Sequence, residues 1–529
     1  MVCYKNGDDN MKKKMLIIVF IICLIFGMTS TYSYYRQSIT NNIIAQTKSY
    51  TFKISSDAIK TSEINLGDNL RPYDKGSFTI NIDMEKTEAD SYFTIEVERI
   101  SLPEGFKFLA HDDKLSPFGI YTKTFSSSDS IKKDSVTVYW YWNGEVNDED
   151  DTSFINQKLS ARLKIKSKQM NGAMMKNGST YDSANKESSG TEFWNLNYRR
   201  YIRTINFVTN LSNKPNSCTG DSDLCWDISY SASQDKKVYA YLIDSGLKDD
   251  SSNTLYNLYI ASTAEIYAPQ DCSFIFSQFY SLESINFDNF ITVYTTNMYG
   301  MFLSCKALTS IDLSSFNTAN VTNMRSLFNK CESLTSIDLT NYNSSKASAL
   351  TYMFYQCRNL KSLDLSSFNI SNATDIEGLF YECENLEEVN LSSFNTSKVT
   401  NMARMFFKCC IIENIDIHNF DFTKATDLTS MFNECKKVKT INLGDFNIVN
   451  VTSMDYTFCT CRYLSLTLNI KNSTISNIKY MFLEAATDAS AKIVLNYTEA
   501  SSSLVDNMIA TKGTNSNVVK GENRVEKIK

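Results

Sequence analysis

Seven cysteines recur in the C-terminal half of the chain at a constant interval, and their thiols are the first groups to consider for chemistry. They lie 26 residues apart: Cys305, Cys331, Cys357, Cys383, Cys409, Cys435 and Cys461. Zinc requires four ligands that converge tetrahedrally, which a linear row of thiols does not supply. Side chains that are stacked in one direction also do not face each other as a disulfide requires. We therefore expect buried, reduced thiols that pack as small apolar residues.

Phenylalanines keep the same period as the cysteines. They are Phe276, Phe302, Phe328, Phe354, Phe380, Phe406, Phe432 and Phe458, and Phe482 arrives two residues early. A fixed period in this range indicates a repeat architecture, in which each unit buries its apolar face against the next. The sequence therefore predicts a continuous core of Phe and Cys columns, with a shortened last repeat.

A single repeat shows which elements must position these columns. Leu308–Leu313 has the pattern L-x-x-I-x-L, which predicts a short strand with its apolar side inward. In Met324–Cys331 the apolar residues are spaced i, i+3, i+4 and i+7, which predicts one face of a short helix. Asn320 or Thr322 is the expected N-cap of that helix. The predicted fold class is mostly β with short helices.

Polar residues also recur in each repeat. An outward column on the predicted strands consists of Asn286, Asp312, Asp338, Asp364, Asn390, Asp416 and Asn442. Such a row would line the concave face that repeat proteins use for binding. Stacked carboxylates repel each other, and a cation or a basic ligand would relieve the repulsion. We predict that this column binds a ligand, with an ordinary solvated strand face as the alternative.

Two further sets of residues bear on where binding occurs. In each repeat, the residue that follows Phe316 or its equivalent is predicted to donate a hydrogen bond to carbonyls of the neighbouring repeat, in a purely structural role. These residues are Asn317, Asn343, Asn369, Asn395, Asp421 and Asn447. The predicted helical side varies between repeats, as at Arg325, Tyr352, Glu377, Arg404 and Thr429. We therefore expect the ligand on the strand side and not on the helical side.

The repeats resemble a known family. SIDLSSFNTANVTNMRSLFNKC (Ser310–Cys331) and EVNLSSFNTSKVTNMARMFFKC (Glu388–Cys409) are similar to BspA-like leucine-rich-repeat surface proteins, over roughly residues 272–484. The resemblance implies a leucine-rich-repeat solenoid on an exposed bacterial protein, often an adhesin. It provides no catalytic residues to carry over.

The N-terminal half has a different pattern. Residues such as Leu159–Lys166 and Val136–Trp142 alternate apolar and polar side chains, which is typical of the strands of a β-sandwich. The segments TYSYYRQSITNNIIAQTKSYTFKI and YWYWNGEVNDEDDT are similar to the camelysin and TasA-type sandwich domains. Cys218 and Cys225 flank a polar loop outside the repeats, and in an exported protein they are candidates for a disulfide.

The first residues predict export. Lys12–Lys14 precede the apolar run Met15–Met28, which has the length of a signal-peptide core, and Met11 is a possible true start. No clean A-x-A cleavage site follows, so an uncleaved N-terminal anchor is the alternative. Either way, the chain is expected outside the cytoplasm, secreted or on the cell surface of a bacterium of Gram-positive type.

Composition and missing motifs restrict the function. The net charge of −6 argues against a nucleic-acid partner, and a membrane contact is expected only through the N-terminal segment if it is uncleaved. His111 and His418 are the only histidines, and the sequence has no H-E-x-x-H, G-x-S-x-G or P-loop motif. We therefore predict no enzyme activity, no cofactor and no metal.

These observations combine into one modular prediction. The expected parts are a signal or anchor (1–35), a β-sandwich (36–170), a linker (171–192), a β-rich cap (193–274), the solenoid (275–498) and a polar tail (499–529). The predicted function is adhesin-like binding of an extracellular protein or glycan through the solenoid. A structural matrix or fibre subunit is the first alternative, and a secreted hydrolase that uses the sandwich is the second.

Overall fold

The computed structural model describes residues 48–523 with internal gaps. The gaps are 55–58, 69, 71–73, 85–90, 103–105, 110–117, 119–120, 126–132, 143–157, 170–171, 177–180, 183–186, 189–195, 232–233, 340–341, 343 and 472–474. The predicted export segment (1–35) lies outside the described residues. Strands and turns dominate what is described, and its α-helices are short: α1 (Leu196–Arg199) and α2 (Ser502–Ala510). The prediction of a mostly β protein with few short helices is confirmed.

The N-terminal strands form two four-stranded sheets. They are β1 (Lys48–Ile54), β2 (Ile59–Asp68), β3 (Lys75–Met84), β4 (Ser91–Ser101), β5 (Phe106–Leu109), β6 (Tyr121–Phe125), β7 (Lys133–Trp142) and β8 (Lys158–Gln169). One sheet has the order β1–β3–β7–β5 and the other β2–β8–β4–β6. The pair β1–β3 is parallel, whereas the other pairs in these two sheets are antiparallel.

Side chains from both sheets share one hydrophobic core. Leu159, Leu163 and Ile165 of β8 are at most 1% exposed, and they belong to the same core as Trp140 and Trp142 of β7. The predicted alternation is therefore confirmed at these strands, because every second side chain points into the core.

A second group of strands leads into the repeats. They are β9 (Ala173–Met174), β10 (Tyr181–Asp182), β11 (Glu187–Ser188), β12 (Ile202–Val208), β13 (Cys225–Asp227), β14 (Tyr239–Lys248), β15 (Thr254–Ala261), β16 (Ile266–Tyr267), β17 (Ser284–Asn286) and β18 (Phe290–Ile291). Five of them form a sheet of order β13–β14–β15–β12–β17. Because β17 belongs to the first repeat, this sheet continues directly into the repeat region. Residues predicted as a linker also take part in this group, since β9 pairs with β16.

Successive repeats pair in parallel at two places. The short strands are β19 (Ser362–Asp364), β20 (Glu388–Asn390), β21 (Asn414–Asp416), β22 (Thr440–Asn442), β23 (Leu466–Ile470), β24 (Ile493–Tyr497) and β25 (Val518–Asn523). Leu363 pairs with Val389, and Ile415 pairs with Ile441. A second row of parallel bridges runs from Asp271 through Asn297 and Asn323 to Asn477. The bridges thus join each repeat to the next along one side, and the strand pairs add a second connection between some of the repeats.

The segment predicted as a helix is instead a run of β-turns. Within 324–331, the N–H groups of Leu327, Asn329 and Cys331 donate to carbonyls three residues earlier. The alternate N–H groups, those of Met324, Ser326, Phe328 and Lys330, donate to carbonyls of the next repeat, at Ala349, Thr351, Met353 and Tyr355. We call residues 324–331 and their equivalents in the other repeats the turn segment.

Positive backbone angles explain how this run of turns differs from a helix. Ser326 and Lys330 have φ angles of 52° and 60°, and equivalent residues of other repeats share the left-handed conformation. These angles turn alternate N–H groups away from the segment and toward the neighbouring repeat. Two consecutive four-residue turns bury nearly the same positions as two turns of helix, so the apolar spacing alone did not distinguish them. The predicted helix caps are also wrong: Thr322 Oγ1 donates to Thr296 O and Asn320 Nδ2 to Val293 O, both in the preceding repeat.

The Phe and Cys columns are stacked in the core as the period predicts. The rings of Phe302 and Phe328 lie 5.6 Å apart and almost parallel, and the stack extends to Phe482 in the shortened last repeat. Cys331 is fully buried, and its Sγ donates to Phe302 O at 3.2 Å. Burial raises the pKa of the Cys331 thiol to about 12. The thiols therefore fill small apolar positions and also bond to a carbonyl of the preceding repeat.

Residues 499–523, predicted as a polar tail, are folded. In α2, Val505 and Met508 are fully buried, and β25 pairs in parallel with β24. The helix and strand cover the apolar end of the repeats, which would otherwise face water.

Replacing a central ring of the Phe column should strongly destabilise the repeats. Phe380 stacks on Phe354 and packs at a tilt against Phe406. Phe380→Ala should lower the free energy of unfolding by about 3–5 kcal/mol through the cavity it leaves. Ser362→Ala, at an exposed strand position, is the control and should change the free energy by at most about 0.5 kcal/mol. Denaturant unfolding measures both. The reverse order would mean that the buried and exposed faces are assigned wrongly.

The buried thiols should be reduced and unreactive in the folded protein. At pH 8 a thiol reagent should leave the seven repeat cysteines unmodified and, among the cysteines that the structure describes, react first with the partly exposed Cys410, since only the thiolate is reactive. After denaturation without reductant, all seven should be counted. For Cys331, the sign of the pKa shift also predicts that the stabilising contribution is complete below pH about 9 and declines toward pH about 12, because the unfolded thiol ionises first. Recovery of almost no thiols after denaturation would contradict this packing.

Candidate functional site

The structure places the predicted strand column on an exposed face. Its members are Asn286, Asp312, Asp338, Asp364, Asn390, Asp416 and Asn442, all of them exposed. Between the exposed Ser362 and Asp364 of β19, Leu363 points into the core. Parallel strands place equivalent residues at a spacing of about 4.8 Å. The column is therefore a regular row of carboxylates and amides along the repeats.

Column residues also have a structural role that the sequence analysis missed. Asp312 Oδ1 accepts a hydrogen bond from the Ser314 N–H at 2.9 Å, and Asp364 does the same with Ser366. The bond from Ser314 lowers the pKa of Asp312. Asn390 accepts the equivalent bond through its amide oxygen. These side chains thus form Asx turns at the end of the strand positions, and the column contains both Asn and Asp because either one supplies the oxygen.

The residues that follow the core phenylalanines also differ from their prediction. Asn369 Oδ1 accepts the N–H of Ser371 in its own repeat, and Asn395 and Asp421 form the same kind of turn. Asn343 lies outside the described residues. Amides three residues further on make the expected bonds between repeats, as Asn372 Nδ2 does to Ser345 O at 2.7 Å. The structural role was correct, but it belongs to a neighbouring position.

The face of the turn segments brings together residues that the sequence analysis treated as unrelated variation. The guanidinium of Arg325 lies 5.9 Å from the centre of the Tyr299 ring and 6.0 Å from that of Tyr352. The Tyr352 hydroxyl donates to Glu377, and Arg404 Nη1 lies 2.7 Å from the same carboxylate. Burial first, and then the hydrogen bond to Glu377, raises the pKa of Tyr352. Arg325, Tyr352, Glu377 and Arg404 therefore form one connected surface.

A second aromatic column runs beside that surface. Tyr355 stacks on Tyr381 at 4.7 Å, and Tyr381 stacks on Phe407 at 4.5 Å. Their spacing of 26 residues was visible in the sequence. This periodicity is the signal that could have identified the turn face as an ordered surface.

A cavity opens near each of these faces of the repeats. One, of about 700 Å³, lies between Ile441–Val449 and Ser465–Lys471 and includes Asn442 of the strand column. The other, of about 680 Å³, lies on the turn face and is lined by residues from Phe274 to Arg404. Both of the faces considered above therefore border a concave space.

Histidines, cysteines and carboxylates are the candidates for metal binding. No three His, Cys, Asp or Glu side chains there form a group that could hold a metal ion. His418 Nδ1 contacts Asp416 Oδ1 at 2.8 Å on the exposed strand face, and His111 lies outside the described residues. Cys218 and Cys225 are joined by a disulfide. No helix in the described ranges is both long and apolar enough to cross a bilayer.

The repeats match one protein family model. Residues 270–389 and 374–495 are each similar to the family described as "Mycoplasma protein of unknown function, DUF285". No curated protein and no solved structure matches the chain. The similarity is thus confined to the repeat region and carries no description of activity.

Proposed function

We propose that the chain is an exported, non-catalytic binding protein that contacts an extracellular protein or glycan through its repeats. In this proposal the repeats form a leucine-rich-repeat solenoid of the BspA-like kind, preceded by a β-sandwich. The observation that carries the proposal is the strand column, in which each repeat presents an exposed Asp or Asn next to buried apolar residues.

The fixed geometry of the column favours binding. Hydrogen bonds such as that from Ser366 N–H to Asp364 hold the side chains at the strand ends, and strand pairing joins the backbones of neighbouring repeats, as between β19 and β20. Little conformational freedom remains to be lost when an extended ligand binds, which lowers the cost of association.

Charge indicates which groups a ligand would present. Asp312, Asp338 and Asp364 occupy three consecutive repeats, and like charges in register repel each other. Lysine or arginine side chains of a protein, or amino groups of a glycan, would reduce that repulsion. Asn442, at the C-terminal end of the column, opens into the 700 Å³ cavity, which gives a ligand room beyond the flat strand face.

Two observations support an extracellular location. The disulfide between Cys218 and Cys225 is typical of oxidising compartments. The apolar run Met15–Met28 after three lysines has the composition of a signal peptide.

Removing the charge of the column while keeping its turns tests the proposal. In the variant Asp312→Asn, Asp338→Asn, Asp364→Asn and Asp416→Asn, each side chain retains an oxygen that can accept a backbone N–H, as Asp312, Asp364 and Asp416 do. The full chain should be screened against matrix proteins and mucins, and its affinity for each partner that binds should be measured at two salt concentrations. The affinity of the variant should fall by about tenfold or more, and its salt dependence should flatten.

A matched control removes four aspartates that form turns elsewhere. Asp223, Asp249, Asp271 and Asp488 accept backbone N–H groups in the same way, and their change to Asn should leave binding unaltered. If the column variant binds every partner as the wild type does, with the same salt response, the strand face is not the binding site.

A further inference from the structure

The face of the turn segments carries a groove that is distinct from the strand column. It has a volume of about 680 Å³, and its lining extends from Phe274 to Arg404. Since the repeats are 26 residues long, this lining draws on consecutive repeats and runs across them. The shape suits a chain-like ligand better than a compact one.

The charges of the groove have one sign. Arg325, Lys330 and Arg404 belong to the lining, and no carboxylate does. Arg404 is neutralised by Glu377. Neither Arg325 nor Lys330 forms an ion pair within the described part of the chain, although Arg325 is near enough to the Asp375 carboxylate to act on it electrostatically. The chain as a whole carries a net charge of −6. Two cations without an ion pair, in a groove whose lining holds no carboxylate, indicate a ligand that is anionic.

Arg325 is already held in position to bind. Its guanidinium lies between the rings of Tyr299 and Tyr352, where cation–π attraction fixes it without using its N–H donors. A planar guanidinium with free donors suits carboxylate or sulfate oxygens, which it binds through two parallel hydrogen bonds.

A glycine fixes the Tyr352 ring in turn. A Cβ atom added to Gly378 would lie 2.4 Å from that ring, and Gly378 has a positive φ of 59°. The absence of a side chain there lets the ring lie against the backbone of the next repeat. Gly300 has the same relation to Phe274, with an added Cβ again 2.4 Å from the ring. The aromatic walls of the groove therefore depend on specific small residues in the following repeat.

The polar groups of the lining favour a sugar over a peptide as the ligand of the groove. Backbone N–H groups along the groove, such as those of Gly300, Ser304 and Ser326, already donate to the next repeat. An extended peptide would find no free strand edge to pair with. The lining supplies aromatic rings, hydroxyls and side-chain amides instead, which can stack on pyranose rings and bond to their hydroxyl groups.

From this geometry we propose that the turn-face groove binds an anionic oligosaccharide, with Arg325 and Lys330 contacting its carboxylate or sulfate groups and the tyrosines contacting its rings. This inference goes beyond the proposed function, because it assigns a second site on a different face and does not depend on the strand column.

The test uses the full chain and defined probes in isothermal titration calorimetry. A heparin hexasaccharide carries sulfates, a hexamer of galacturonate carries carboxylates, and maltohexaose is neutral. At least one anionic hexasaccharide should bind, about tenfold or more tightly than maltohexaose, and higher salt should weaken it. The two anionic probes show which acidic group is preferred.

Substitutions locate the site. Arg325→Gln should lower the affinity for the anionic probe by about tenfold or more, and Lys330→Gln should lower it less. Arg325→Lys should keep only part of the wild-type affinity, since it retains the charge but not the planar donors. The control Arg462→Gln removes an exposed arginine that is paired with Glu484 and should have no effect. Unchanged thermal unfolding of Arg325→Gln would show that the exposed substitution leaves the fold intact.

Other outcomes would overturn the inference. These are failure of both anionic probes to bind, equal binding of maltohexaose, or wild-type affinity in Arg325→Gln. Tighter binding of a glutamate-rich peptide than of either sugar would identify a protein partner instead. The four-residue Asp→Asn variant of the strand column should bind the anionic sugar at least as well as the wild type, so failure of one site is distinguishable from failure of the other.

Discussion

Backbone N–H groups in the turn segments donate alternately within their own repeat and to the next one, and most features of the repeat region depend on this division. Leu327 bonds back to Met324, whereas Phe328 bonds forward to Met353. A buried backbone group without a partner is costly, and this pattern satisfies the N–H groups of the segment without a helix. It also fixes the separation of neighbouring repeats, because each forward bond sets the distance between two turn segments.

The side-chain columns follow from that separation. Stacked Phe rings 5.6 Å apart at Phe302 and Phe328 fit the spacing of the hydrogen-bonded backbones. The Cys side chain is short enough to fit beneath the rings, and its thiol reaches a carbonyl of the preceding repeat. Fully buried thiols with raised pKa values are poor nucleophiles. The most conspicuous chemical groups of the sequence therefore serve packing.

The two exposed faces differ because the backbone presents them differently. On the strand face, side chains alternate strictly in and out, so every repeat exposes an equivalent residue and the surface is regular. On the turn face, residues with positive φ point side chains along the repeats. Tyr352 consequently covers Gly378, and residues in different repeats combine into one groove. The side chains on this face differ from repeat to repeat. The surface is therefore not regular, and the differing residues together line one groove.

The sequence by itself determined the elements whose pattern depends on local burial. The spacing of Phe302 and Cys305 and their equivalents predicted the stacked core, and the alternation in Leu159–Ile165 predicted a strand with one buried face. Both hold because periodic burial requires only that apolar side chains leave water. The position of Asp312 and Asp364 on an exposed face was determined in the same way.

Only the tertiary structure decided where the hydrogen bonds go. Met324–Cys331 has helical spacing, yet the carbonyls of the next repeat were available as partners and a run of turns resulted. The composition of residues 499–523 predicted a polar tail, but Val505 and Met508 are buried against the apolar end of the repeats. Arg325 lies against Tyr299 and Tyr352 only because three consecutive repeats are stacked. In each case the partner lies far along the chain, and a local pattern carries no information about a distant partner.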